Sequence, residues 1–102
     1  MYVYNITFAL GNEVDIPKWK QDIQQKLIAE VFEKKISQEH HFLELVKSAH
    51  GDAGLTFTCQ FHVLDQEKVE QIENEVKPKL DHYLFLNYGE QCLSFVTVLQ
   101  QA

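Results

Sequence analysis

Three stretches of this chain, residues 1–12, 53–64 and 91–102, carry no Asp, Glu, Lys or Arg, although these four types make up 24% of the whole. Each stretch holds a strand-like run. In "MYVYNITFAL", Tyr2, Tyr4, Ile6, Phe8 and Leu10 fall on one parity, and Val3, Asn5, Thr7 and Ala9 on the other. An antiparallel strand with one face on a core and the other in water alternates apolar with polar or charged residues. Three strands without a charge on either parity therefore require a fold in which both faces of a sheet are covered.

The order of elements narrows that fold. Residues 2–10 read as strand one by their period of two. Asp15 is an N-cap with Pro17 in the first turn, where a missing N–H costs nothing. A helix then runs to about Lys35, with Ile16, Trp19, Ile23, Leu27 and Val31 on one stripe. "HHFLELVKSA" reads as strand two, and "HGDAG" (His50 to Gly54) as a hairpin connection. "LTFTCQFHVL", residues 55–64, is strand three. Asp65 caps a second helix, with Glu67 in its first turn and a stripe of Val69, Ile72, Val76, Leu80 and Tyr83. Pro78 predicts a kink in that helix, Gly89 a left-handed C-cap, and "CLSFVTVL", residues 92–99, strand four.

The resulting βαββαβ order predicts one α+β domain over residues 1–102, a ferredoxin-like sandwich with a four-stranded antiparallel sheet and two helices on one face. Strands one and three are central, with strand four beside one and strand two beside three.

Two helices cover only one face of such a sheet. Parity puts Leu55, Phe57, Cys59, Phe61 and Val63 toward the helices, and Thr56, Thr58, Gln60, His62 and Leu64 on the far side with Val3, Asn5, Thr7 and Ala9. For strand four, Leu93, Phe95 and Leu99 are expected inward and Ser94, Val96 and Val98 outward. Strand two is ambiguous, with Leu43 and Leu45 set against Phe42 and Val46. A bare far face of this composition exceeds the apolar patch of a few hundred Å² that calls for a partner. The economical cover is a second copy, sheet against sheet about a two-fold axis, so that the far face becomes the dimerising face. The apolar turn "YLFLNY", residues 83–88, is taken as further support, being more apolar than one packing stripe requires. Should two such sheets leave a gap, Asn5, Thr7, Thr58, Gln60 and His62 would line a neutral polar lumen for a small molecule; otherwise these groups satisfy one another and buried water.

Charge and motif content exclude several classes. The net charge is −6, and the basic residues are nine lysines with no arginine, which argues against nucleic acid. RNA-recognition modules share the βαββαβ order, but "FTCQF" lacks the basic lead residue of their third-strand motif. No apolar run is long enough for a membrane span and no secretory leader is readable, so a cytoplasmic location is expected. Cys59 and Cys92 lie in apolar runs on non-adjacent strands and read as two buried thiols rather than a disulfide. His40 and His41 alternate across a strand and cannot chelate one metal together; His50 belongs to the hairpin, and His82 lies off the apolar stripe. "EQIENEVK", like the other acidic residues, reads as a solvated helix face. No nucleophile has a base at motif spacing and no glycine loop is present, so no metal, cofactor or catalytic residue is assigned.

"MYVYNITF" at the start, Trp19 early in helix one, the glycine-bounded hairpin before "LTFTCQF", and "NYGEQCLSFVTVL" together resemble an uncharacterised bacterial family common in Bacteroidetes, domain of unknown function 4286. The resemblance spans the chain and implies a ferredoxin-like fold in a dimeric α+β barrel. It carries no activity, substrate or catalytic residue. Small monooxygenases occur in that barrel class, and some that degrade haem use a first-strand Asn with a Trp and a helix-borne His. Asn5, Trp19 and His82 are the residues of those types in this chain, and fold analogy alone connects them. The expected role is a structural or regulatory interaction module whose partner is itself, without assignable catalysis. The alternative is a small-molecule binding protein or monooxygenase-like enzyme using the lumen.

Overall fold

A computed structural model describes residues 1–46 and 55–102. Strand β1 (Tyr2–Leu10) leads to helix α1 (Ile16–Ile23), which continues through a π turn (Gln24–Ile28) into α2 (Ala29–Glu33). Strands β2 (Glu39–Glu44) and β3 (Leu55–Val63) follow. Helix α3 (Gln66–Gln71) passes through a second π turn (Ile72–Val76) into α4 (Lys77–Tyr88), and a 3-10 turn (Gly89–Gln91) leads into β4 (Cys92–Gln100). The sheet order is β2-β3-β1-β4, with every neighbour antiparallel. This is the expected ferredoxin-like α+β topology. The hairpin expected at 50–54, and the tail of strand two beyond Val46, lie outside the described residues.

Local signals explain most of the elements. The Asp15 carboxylate accepts the Lys18 N–H at 3.3 Å, and the Asp65 carboxylate accepts that of Lys68 at 3.0 Å, so both predicted caps hold their helix starts. Lys35, at φ 57°, ends the first helix, with the Ile36 N–H donating back to the Val31 carbonyl.

The π turns are a departure from the prediction, and the stripes explain them. Trp19, Ile23, Leu27 and Val31 recur every four residues, and in an α-helix each such step overshoots a full turn by about 40°. The wider π turn, closed by the Ala29 N–H on the Gln24 carbonyl, takes up the drift and keeps all four buried. The second helix does the same with Ile72, Val76, Leu80 and Leu84, the Lys77 N–H reaching the Ile72 carbonyl. Its fourth buried residue is Leu84, with Tyr83 only half-buried. Pro78 opens α4 in its first turn, so the break falls one turn earlier than the proline.

The core lies between the sheet and the helices. Trp19 is fully buried, its ring 5.0 Å from Phe57, 5.3 Å from Phe8 and 5.8 Å from Phe42. That settles strand two: His40, Phe42 and Glu44 share the helix side with Phe61, Cys59 and Phe57, and Glu39, His41 and Leu43 the other.

Strand four reverses its expected parity. Cys92, Ser94, Val96 and Val98 stand opposite Leu10, Phe8, Ile6 and Tyr4, on the helix side; Leu93, Phe95 and Leu99 stand opposite Ala9, Thr7 and Val3, facing away. Beyond the core at the sheet's edge, the helix side of β4 needs only small and β-branched residues. The largest side chains of the strand are 53%, 59% and 49% exposed for Leu93, Phe95 and Leu99.

Candidate functional site

The sheet face turned away from the helices collects every predicted site residue. Asn5 and Thr7 of β1 stand opposite Gln60 and Thr58 of β3, and His62 stands between Val3 and Glu39. All five are half-buried. Across the strands this outer face divides in two. Its β4–β1 half carries Leu93, Phe95, Leu99, Val3 and Ala9, with Thr97 among them; its β3–β2 half carries Thr56, Thr58, Gln60, His62, His41 and Glu39, with the exposed Leu43 among them. The apolar half is larger than expected because of the reversed parity of β4.

Asn5 lies at the junction of the halves. Its Nδ2 donates to the Thr7 hydroxyl at 3.3 Å, while its Oδ1 is buried without a hydrogen-bond partner. The ionisable side chains of the face gather at one corner. The Glu39 carboxylate is 3.8 Å from His62 Nδ1, and the His41 ring packs edge-on to His62 at 5.3 Å. The buried Ser37 hydroxyl donates to the His62 carbonyl at 2.6 Å and accepts the Glu39 N–H at 3.3 Å, tying the start of β2 to the end of β3. Beside this corner Met1, Val3, His62, Leu99, Gln100 and Gln101 border a recess of about 370 Å³.

The residues of haem-degrading type are not brought together. Trp19 is buried on the helix side of the sheet, His82 is exposed on α4, and Asn5 is on the outer face. Among the described residues no group of three or more His, Cys, Asp or Glu is set to hold a metal ion, and no helix is long and apolar enough to cross a membrane. Both cysteines are free, with Cys59 buried as expected and Cys92 only half-buried.

One cluster escaped the sequence reading, which placed all acidic residues on solvated helix faces. Asp22 is buried, and its carboxylate accepts the Tyr88 hydroxyl and the Lys18 ammonium, the latter at 3.0 Å. Burial raises the Asp22 carboxyl, but the Tyr88 hydroxyl, Lys18 and Tyr83 outweigh it and hold the group below the ordinary aspartate range. Burial, with the Asp22 carboxylate beside it, pushes Tyr88 up to about 12. This cluster pins α1 to the end of α4. The four-residue spacing of Lys18 and Asp22 is visible in the sequence; the hydroxyl from Tyr88 is not.

Two solved structures share the fold. A crystal structure of an ethyl tert-butyl ether d (EthD) family protein from Bacillus halodurans superposes with a TM-score of 0.68 at 13% identity, covering 100% of both chains. A crystal structure of an Arabidopsis thaliana protein, refined as an ensemble, gives 0.66 at 17% identity, covering 98% of this chain and 97% of that one. At such identities the likeness shows the fold alone. No curated protein matches the chain. A family model matches it from residue 1 to residue 102, and the protein belongs to the family described as Domain of unknown function (DUF4286).

Proposed function

We propose that this protein is a self-associating interaction module, two copies stacking the outer faces of their sheets about a two-fold axis. The observation that carries the proposal is the outer face itself, which sets Leu93, Phe95 and Leu99 beside Val3 and Ala9 with no charge on its β1, β3 or β4 rows. Four strands about 4.8 Å apart, each up to nine residues long at about 3.3 Å per residue, make a face of about 500 Å². Two such faces bury on the order of 1,000 Å², the lower bound for a specific interface. Asn5, Thr7, Thr58, Gln60 and His62 would then form the neutral polar part of the contact. The two free thiols fit a reducing, cytoplasmic setting.

A second reading keeps the same assembly and places a small molecule between the polar halves. The buried, unpartnered Oδ1 of Asn5 is the observation that favours it.

Thr7 lies in the middle of β1 and away from the sheet edges, so Thr7→Glu tests the stacking directly. Sedimentation should show the mass halved, with the far-UV circular dichroism of the wild type. A wild type that sediments as a single chain at micromolar concentration, or a variant of unchanged mass, overturns the proposal.

A further inference from the structure

The chain carries fifteen acidic residues against nine lysines, so a lysine has no shortage of partners. Lys18, Lys34 and Lys77 sit against carboxylates, and Lys20 and Lys26 lie over aromatic rings. Lys35 and Lys68 do neither; among the described residues no carboxylate pairs with either ammonium group. Both border one recess of about 350 Å³ at the end of the sheet, together with Ser37, Glu39, His62 and Leu64. They reach it from different elements, Lys35 from just past the end of α2 and Lys68 from the first turn of α3.

Lys35 is held at φ 57°, the left-handed conformation in which glycine or asparagine usually ends a helix. A residue with a Cβ loses backbone energy there that glycine does not, so lysine stands at this position against its backbone preference. The Ser37 hydroxyl, bonded to the His62 carbonyl and the Glu39 N–H, fixes the wall of the recess. The Glu39 carboxylate lies 3.8 Å from His62 Nδ1 rather than on a lysine. His62 and Met1 also border the recess of about 370 Å³ on the outer face, whose other walls include Val3 and Leu99. Two recesses therefore meet at His62, one cationic and one apolar.

We propose that this corner binds a small organic acid, its carboxylate between Lys35 and Lys68 and its apolar body against Met1, Val3 and Leu99. Each recess falls within the range of about 300–1,000 Å³ usual for small-molecule sites, which are mostly apolar with a few polar groups that fix orientation. The chemistry of the chain selects the head group. It has no arginine, whose planar fork suits phosphate, and its net charge of −6 repels polyanions, so a single carboxylate is the anion that fits two lysines. This site goes beyond a neutral lumen between the polar halves, because its two cations come from the ends of helices and not from the strands. Every residue of it belongs to one copy, and it needs no free sheet edge.

Octanoate is the probe, with 1-octanol lacking its charge and acetate lacking its chain. Calorimetry on the wild type should show octanoate binding about tenfold more tightly than either. Lys35→Gln combined with Lys68→Gln should weaken octanoate about tenfold and leave octanol unchanged, because only the head group has lost its partners. Lys35→Gly separates binding from folding: it should match or exceed the wild-type Tm, since glycine is at ease at this φ, while binding octanoate more weakly. Octanol bound as tightly as octanoate, a double variant of undiminished octanoate affinity, or no heat at millimolar octanoate overturns the site. Sedimentation keeps the stacked assembly apart from it. A wild type that runs as a single chain yet binds octanoate overturns the stacking alone, and an assembled wild type that does not bind overturns this site alone.

Discussion

The Asp22–Tyr88 contact joins segments 66 residues apart and has a calculable worth. Lys18 is more than half exposed and four residues from Asp22, so its ion pair with Asp22 is screened by solvent and contributes little. The hydroxyl-to-carboxylate hydrogen bond, made to the buried Asp22, carries the larger share, about 1.5–3 kcal/mol. Asp22→Ala and Tyr88→Phe should each destabilise by about 2 kcal/mol, lowering Tm by about 8–16 °C for a chain of this size. Because both remove one interaction, the double variant should cost far less than the sum, with a coupling of about 1.5 kcal/mol. Urea unfolding followed by the single tryptophan provides the assay, at one fixed protein concentration so that self-association weighs equally on every variant. A coupling under about 0.5 kcal/mol refutes the argument. The pH dependence supplies a second check. The Asp22 carboxyl is lowered in the fold, so its contribution is complete above the ordinary aspartate range and fades as pH falls through the lowered value. Tyr88 is raised to about 12, so its contribution holds below the ordinary tyrosine range and is lost as pH rises through about 12. The stability gap between wild type and Asp22→Asn should therefore persist at mildly acidic pH and close only under strong acid.

Two further outcomes follow from single residues. Gly89 sits at φ 57° and ψ −131°, a region open only to glycine, and an added Cβ would meet no atom within 4 Å. Gly89→Ala should thus cost about 1–3 kcal/mol of stability from backbone strain alone, measured as a lower urea midpoint; Gly89→Asn should give no relief, because the ψ value lies outside the left-handed helical well that asparagine tolerates. Burial pushes the Cys59 thiol up to about 12, whereas Cys92 is half-buried, raised by burial with the Trp19 N–H pulling the other way. A chromogenic disulfide reagent at alkaline pH should accordingly titrate Cys92 slowly in the native protein and Cys59 only in denaturant, and two fast native thiols would contradict the burial.

The parts of this fold that were legible from sequence are those governed by near neighbours. Asp15 and Asp65 capped their helices as predicted because a cap is a three-residue interaction, and β1 and β3 kept their parity because helices cover one side of them completely. The π turns were encoded in the four-residue spacing of Trp19, Ile23, Leu27 and Val31, which an undistorted α-helix cannot hold on one face. The Asp22 cluster was not legible, since its hydroxyl arrives from the far end of the chain. All five outer-face residues landed where alternation put them. Their chemical environment, with Glu39 and His41 beside His62, depended on the register of β2, which alternation left open.

The failure on β4 is instructive because of its cause. Assigning Leu93, Phe95 and Leu99 to the core assumed that the largest apolar side chains of a strand face inward, a rule that runs only one way: interiors are apolar, but apolar residues are not all interior. Within one chain, Tyr4, Ile6, Phe8, Phe57 and Phe61 already fill the space under the helices, and the helix side of β4 closes with Cys92, Ser94 and Val96. Leu93, Phe95 and Leu99 on one side of the sheet, and Phe85 and Leu86 on the other, are therefore surplus to the fold of a single copy. The error lies in the premise that one core claims every large side chain, when β4 runs along its rim.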